Sequence, residues 1–325
     1  MAEEDLFAAL VGHALAMRLL RAALQSGRLA PAYLFAGPEG VGRRLTARRF
    51  LEGVLTGGKG DPSLRRRLAQ GNLADLLWQE PTFMHQGQAV PASQAEELGV
   101  SRRTPPQIRL EQVREVSRFL CRRPIEAERS FVVIEAAEAM AEAAANALLK
   151  TLEEPGDGLL ILISAAPEQL LVTIRSRCQC VPFRPLAPRE MDMVLAQSRG
   201  AGEAAPPATD PPELIAMAGG SPGALLAHRR HWQHIPEGIA ARLGQLPAQP
   251  LEALELAREI TEGLDGEEQF WLLQWWQIRL WRERRDREQM DRLELLRKHL
   301  LGHVQPRLAW EVTLLELTPQ KPQGG

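Results

Sequence analysis

Cysteine, lysine and long apolar runs are all scarce in this chain. Three cysteines, Cys121, Cys178 and Cys180, cannot build a disulfide framework and do not offer four zinc thiolates, so a reducing compartment is expected. No apolar stretch reaches the ~18 residues of a membrane span. The opening MAEEDLFAALVGHA is acidic where a secretion signal is basic and then apolar. These absences predict a soluble, intracellular, cytoplasmic protein with no membrane partner. A formal net charge of -2 over 325 residues removes any global electrostatic argument for a nucleic-acid partner, while a local basic face would escape such a sum. Lysine is rare and arginine plentiful, which together with the many Ala, Gly and Pro residues reflects a compositional habit rather than a binding surface. The length predicts two or three domains.

What is present alternates. AYLFA (32–36) is a short apolar run entering the glycine-rich GPEGVGRR (37–44), and RLTARRFLEGVL after it has helical spacing through Leu45, Phe50 and Val54. Between about Thr56 and Pro106 the pattern weakens into Gly, Pro and polar residues around ADLLWQEPTF, which reads as an insertion ordered only in part. From Leu110, the positions Val113, Val116, Phe119 and Leu120 mark a helix, and SFVVIE reads as a buried strand. AEAAANALLKTLEEP is a helix stopped by Pro155, LLILIS (159–164) another buried strand, Leu170 to Ile174 a helical stretch and CQCVPF a short strand. Apolar strands alternating with helices predict an α/β fold with a parallel sheet covered on both faces.

After Pro185 the strands stop. A short helix around Met191 to Leu195 precedes the linker SRGAGEAAPPATDPP, and a new helix starts with Ser221 as N-cap and Pro222 at its first position. From about Ile235 the chain reads as helical throughout. Trp271, Trp275, Ile278 and Trp281 form one apolar stripe, with core packing preferred over a base-stacking surface.

Strand, glycine turn and helix are the context of a phosphate loop, in which backbone N–H groups approach phosphates, a lysine reaches the outer ones and a hydroxyl holds magnesium. Gly37, Gly40 and Gly42 supply the turn. Arg43 keeps the charge in a planar head that does not replace lysine, and Arg44 removes the hydroxyl; Thr46 is two residues too late to restore it. A second strand should end in an acidic pair for magnesium and for the attacking water. Here Glu135 fills the first place and Ala136 the catalytic one, while Glu138 is expected to be an exposed residue after the strand. TIRSRCQ (173–179) puts Arg175 and Arg177 where an arginine could reach outward.

The segments AANALLKTLEEP, RSRC and GPEGVGRR together resemble the bacterial clamp-loader subunits of the AAA+ class that serve DNA polymerase III, most of all their delta-prime branch. The resemblance covers roughly residues 8–235; the remaining helices agree only in being helical. It implies a degenerate AAA+ (RecA-like) P-loop core over 1–187, a small helical lid over 188–234 and an all-α collar for oligomerisation over 235–325. In the family the serine-arginine-cysteine motif gives an arginine finger to ATP bound by the neighbouring subunit. Ser176, Arg177 and Cys178 match it, with Arg177 as the finger, a group worth roughly 10³ to 10⁵ in rate when supplied in trans. The first sensor position falls in Ser164-Ala165-Ala166 and is weakly retained; the second, an arginine after a Gly-Ser pair, is missing from Gly220-Ser221-Pro222-Gly223.

The resemblance further implies no nucleotide or metal cofactor of the chain's own, ATP and magnesium being bound by the neighbour. Its implied partners are gamma/tau-type ATPase subunits and a delta subunit in a hetero-oligomeric, pentameric ring, with the sliding clamp and primed DNA at the level of the polymerase holoenzyme. Many members carry a four-cysteine zinc module after the phosphate-loop helix; residues 57–73 here contain no cysteine, and no zinc is expected. Two other readings stay open on the residues alone. The glycine spacing permits an active ATPase of the gamma/tau type, and a purely structural subunit would need only the collar.

Overall fold

The apolar runs of the first two hundred residues are four to six residues long, too short for helices and long enough to be strands buried on both faces. A computed structural model describes residues 6–95, 97–100, 104–154, 156–198, 210–302 and 304–318. Compactness divides the chain into two units, Met1–Ala201 and Gly202–Gly325. The first contains α1 (Ala14–Ser26), β1 (Ala32–Ala36), α2 (Arg43–Thr56), α3 (Pro62–Gln70), β2 (Leu76–Gln79), β3 (Thr82–His85) and β4 (Gln88–Pro91). It continues with α4 (Leu110–Leu120), β5 (Phe131–Ile134), α5 (Glu142–Glu153), β6 (Leu159–Ser164), α6 (Val172–Arg175), β7 (Gln179–Pro182) and α7 (Pro188–Ser198).

Five strands form one parallel sheet in the order β2-β5-β6-β1-β7. Side-chain alternation sorts their residues onto two cores. Tyr33, Phe35, Phe131, Val133, Ile161 and Val181 face α1 and α2, where Leu20, Phe50 and Leu51 meet them. Leu34, Val132, Ile134, Leu160 and Leu162 face α4 and α5, meeting Val113, Val116 and Leu148. The expected parallel sheet covered on both faces is therefore present. Leu45 is a correction: it is exposed, because Thr46, Ala47, Phe50 and Leu51 carry the buried face of α2.

Among its described residues the stretch 56–106 is a larger correction. It is organised around its own elements: β2 joins the main sheet beside β5, and β3 and β4 form an antiparallel hairpin over a small core of Phe83, Val90, Ala95 and Val100. Two buried carboxylates tie it down. Glu52 on α2 accepts from Arg49 Nη1 (2.9 Å), from Arg65 Nη2 (3.0 Å) and Nε (3.1 Å), and from the Asp61 backbone N–H (2.8 Å). Asp75, 3% exposed, accepts from the backbone N–H groups of Ile125, Glu126 and Ala127 at 2.7–2.8 Å, fixing the entry to β2 against the loop before β5. Burial alone would push the Asp75 carboxyl up, and the three N–H bonds together hold it below the ordinary carboxylate value.

The second unit contains α8 (Pro212–Ala218), α9 (Pro222–His234), α10 (Glu237–Gln245), α11 (Pro250–Gly263), α12 (Gly266–Arg284), α13 (Arg287–Leu301) and α14 (Pro306–Leu317). Ser221 caps α9 through a bond from Ala224 N–H, with Pro222 next, as the sequence predicts. Trp271 and Trp275 are buried, but Trp281 is half exposed and does not continue the stripe. The tryptophan completing the core is Trp276, stacked on Trp310 at 6.0 Å and donating to Leu243 O at 2.9 Å. Residues 199–209 of the expected linker, and Pro155 after α5, lie outside the described residues.

Removing a partner from a buried charge cluster leaves uncompensated charge behind. Glu52→Ala is expected to cost about 3–5 kcal/mol, seen as a lower denaturant midpoint for the first unit by circular dichroism. The Asp75 carboxyl is depressed in the folded state, so its stabilisation is present above the unfolded value of about 3.9 and disappears as pH falls through the folded one. The stability gap between the native chain and Asp75→Asn should hold from neutral pH to about pH 5 and then shrink below about pH 4.

Candidate functional site

The glycine loop runs from the end of β1 to the start of α2 and needs its glycines for different reasons. At Gly37, φ is 152° and an added Cβ would run into the Phe183 carbonyl oxygen, so no side chain fits. Gly42, at φ 104°, is the N-cap of α2 and makes no side-chain cap of its own. Gly40 also has positive φ (73°), so the turn of a phosphate loop is intact. The Thr46 hydroxyl is buried and donates to Gly42 O at 3.0 Å, so it does not serve the loop.

Arg43 at the loop's cation position is 7% exposed. Burial lowers the pKa of its guanidinium, and Glu138, then Glu39 and Glu135, act against that. Its Nη1 is buried without a hydrogen-bond partner. Glu138 corrects the expectation of an exposed residue: it is half buried, its Oε1 accepts the Ala165 N–H at 2.9 Å, and its Oε2 is buried without a partner. It thus links the turn after β5 to the end of β6. Ser164, where the first sensor is expected, is fully buried with an unpartnered Oγ.

Arg44 turns toward the end of β5. Its Nε lies 2.8 Å from Glu135 Oε1, and the Trp78 indole N–H donates to the same oxygen at 2.6 Å. The guanidinium carbons of Arg44 and Arg48 lie 5.5 and 5.3 Å from the Trp78 ring centroid, within cation–π range. Burial raises the pKa of the Glu135 carboxyl, while Arg44, the Trp78 bond and Arg48 pull it back. Ala136 follows in a left-handed conformation, φ 44° and ψ 53°, with only a methyl group at the position that would orient water. A magnesium-nucleotide complex needs a hydroxyl where Arg44 stands, and one of the two Glu135 carboxylate oxygens, Oε1, already has two donors. The residues present do not fit it. Among the described residues, no group of three or more His, Cys, Asp or Glu side chains could hold a metal ion.

The outward arginine is elsewhere in the same unit. Ser176, Arg177 and Cys178 form the turn between α6 and β7. Arg177 is exposed; its Nη2 meets Glu153 Oε1 at 2.8 Å and its Nη1 donates to Thr173 O at 3.2 Å. The Ser176 hydroxyl donates to Thr173 O at 3.1 Å, tightening the turn. Cys178 precedes β7 and packs against the core below α4 and α5; burial, then neighbouring Cys180, pushes its thiol up to about 12, so it stays protonated. The structure thus gathers Arg43, Arg44, Glu135 and Ala136 around the loop and sets Ser176–Cys178 on a separate turn. Sequence reasoning did not single out Trp78, Arg48 and Glu153; an indole in the weakly patterned stretch ADLLWQEPTF carries no signal that it will cover the loop.

A five-stranded parallel sheet, a glycine loop feeding a helix and a helical second unit define the AAA+-type P-loop fold. The chain belongs to the DNA polymerase III delta-subunit family: the family model described as DNA polymerase III, delta subunit matches residues 12–187, and the cyanobacterial DNA polymerase III delta prime, C-terminal domain matches 189–317. It is 36% identical over 219 residues to DNA polymerase III subunit delta' of Pseudomonas aeruginosa, covering 64% of this chain and 58% of that protein. Against subunit delta' of Bacillus subtilis it is 34% identical over 185 residues, 54% of this chain and 49% of that one. The gamma/tau subunit of Mycobacterium bovis is 30% identical over 193 residues, covering 59% of this chain and 31% of its own. The chain spans about half the length of the delta' relatives it matches. A crystal structure of a DNA polymerase III gamma subunit-related protein from Thermotoga maritima superposes with a TM-score of 0.53 at 17% identity, covering 92% of this chain and 97% of that one, which supports the fold.

A buried hydroxyl without a partner destabilises. Ser164→Ala should therefore raise the stability of the first unit by roughly 1 kcal/mol in chemical denaturation; a loss would show that the hydroxyl has a bonding partner.

Proposed function

We propose that the chain is a non-hydrolysing, delta-prime-like subunit of the clamp loader of DNA polymerase III, completing a neighbouring subunit's ATP site in trans with Arg177. The observation that carries this reading is the combination within one unit of an exposed Arg177 and a phosphate loop whose hydroxyl and water-orienting carboxylate are replaced by Arg44 and Ala136. Arg177 makes a partly exposed ion pair with Glu153, the two side chains being 37% and 54% exposed. Such a pair contributes little, about 0–1 kcal/mol, so a neighbour's triphosphate can take the guanidinium from it. The charge would then spread over phosphate oxygens as hydrolysis develops negative charge there.

In this reading the chain has no nucleotide or metal cofactor of its own and works in the cytoplasm. Its partners are gamma/tau-type ATPase subunits and a delta subunit in a pentameric ring that loads the sliding clamp on primed DNA. The division into a core (1–187), lid (188–234) and collar (235–325) belongs to the same proposal. Leu308, Val312 and Leu315 on α14, at helical spacings of four and three, leave an exposed apolar stripe that suits a collar contact. An active gamma/tau-type ATPase is the second reading, supported by the intact glycine turn and the similarity to a gamma/tau subunit.

The test is reconstitution with the ATPase subunits, delta, clamp and primed DNA. Arg177→Ala should lower turnover at the one adjacent site by about 10³ or more, and Arg177→Lys should not restore it, because lysine lacks the planar fork. Unchanged DNA-stimulated hydrolysis in Arg177→Ala would remove the finger.

A further inference from the structure

Beside the loop Arg44 and Glu135 are directly paired, whereas Arg43 Nη1 and Glu138 Oε2 are buried without a hydrogen-bond partner. Arg44 lies against Glu135 at 2.8 Å, and the Trp78 indole both donates to that carboxylate and lies under Arg44 and Arg48. Arg43 is opposed by Glu138, whose carboxylate is fixed by the Ala165 N–H. Glu135 stands at the end of β5, where a phosphate-loop protein keeps the acid that organises magnesium, and Arg44 stands where that protein keeps the magnesium-binding hydroxyl.

We infer that the chain supplies from within the cation that such a site otherwise takes from solution: the Arg44 guanidinium, held by Glu135 and Trp78, stands in for the divalent ion. A guanidinium suits the task because it is always charged, weakly hydrated, able to donate to a carboxylate and able to lie on an indole face. Magnesium gives up its water reluctantly and needs open oxygen ligands. To bind at Glu135 Oε1 it would have to displace Arg44 and the indole N–H, and it would find no hydroxyl where Arg44 stands. The charge at the end of β5 is then the same whether or not nucleotide and metal are present, and the loop keeps one electrostatic state.

This inference deepens the proposed loss of hydrolysis, but it concerns the chain's own loop and not the finger. A silent Arg177→Ala would leave it standing, and its own failure would leave the finger untouched. It is tested on the full chain by counting bound Mn²⁺ through the loss of the free-ion electron paramagnetic resonance signal with ADP present, measured against the same ADP and Mn²⁺ without protein. The native chain should take up no stoichiometric Mn²⁺. Arg44→Thr, which removes the internal cation and restores a hydroxyl, should bind Mn²⁺ at least about tenfold more tightly than the native chain. Adding Glu135→Gln to that variant should abolish the gain. Stoichiometric uptake by the native chain overturns the inference, as does a folded Arg44→Thr with no gain, or a gain that survives Glu135→Gln. Should Arg44→Thr unfold when metal-free, Mn²⁺ with ADP must restore its circular dichroism, and failure to do so also overturns the inference.

Discussion

The pairing of β2 with β5 is the constraint on which the site depends. Its register sets Trp78 opposite Val133 and Gln79 opposite Ile134, and the Glu135 N–H continues the ladder by donating to Gln79 O at 2.8 Å. Since side chains alternate along a strand, a shift of one residue would turn Trp78 to the other face and take its N–H away from Glu135. The register is held from outside the strand. Asp75 gathers three backbone N–H groups immediately before β2, and Glu52 anchors α3 further upstream. The contact that closes the phosphate loop thus relies on carboxylates that never touch it.

Around that contact the proposed role would separate two tasks that an active phosphate-loop ATPase combines. The glycine turn keeps its geometry because Gly37 has no room for a side chain against Phe183, and the turn positions β1 and α2. Of its charges, Arg44 is paired with Glu135, while Arg43 feels Glu138 but keeps a buried Nη1 without a partner. Arg177, by contrast, is attached to the unit only through a partly exposed pair and one carbonyl. An inward-facing Arg44 paired with Glu135 and an outward-facing arginine held weakly are what the proposed role in trans requires.

The sequence made some of this legible and hid the rest for physical reasons. LLILIS and FVVI are buried on both faces, so their uninterrupted apolar character marks them as central strands, and the alternation with helices gives the parallel sheet. Arg43, Arg44 and Ala136 can be placed from spacing alone, because they sit on the glycine loop and at the end of β5. LLWQ is not visible in the same way: it is a four-residue edge strand, half buried at every position, and neither period stands out. Glu138 and Trp281 show the limit in opposite directions. A carboxylate after a strand usually points to solvent, yet the N–H of Ala165 captures this one; a tryptophan one turn along an apolar stripe usually packs, yet α12 ends its buried face before Trp281. For Glu138 a contact from a distant part of the chain decides.

The proposed loss of nucleotide handling rests on the Arg44–Glu135 pair occupying the loop. It is tested most directly by titrating labelled ATP with magnesium into the isolated chain at equilibrium. The account predicts no magnesium-dependent binding and no turnover; micromolar binding that requires magnesium, accompanied by hydrolysis, would contradict it.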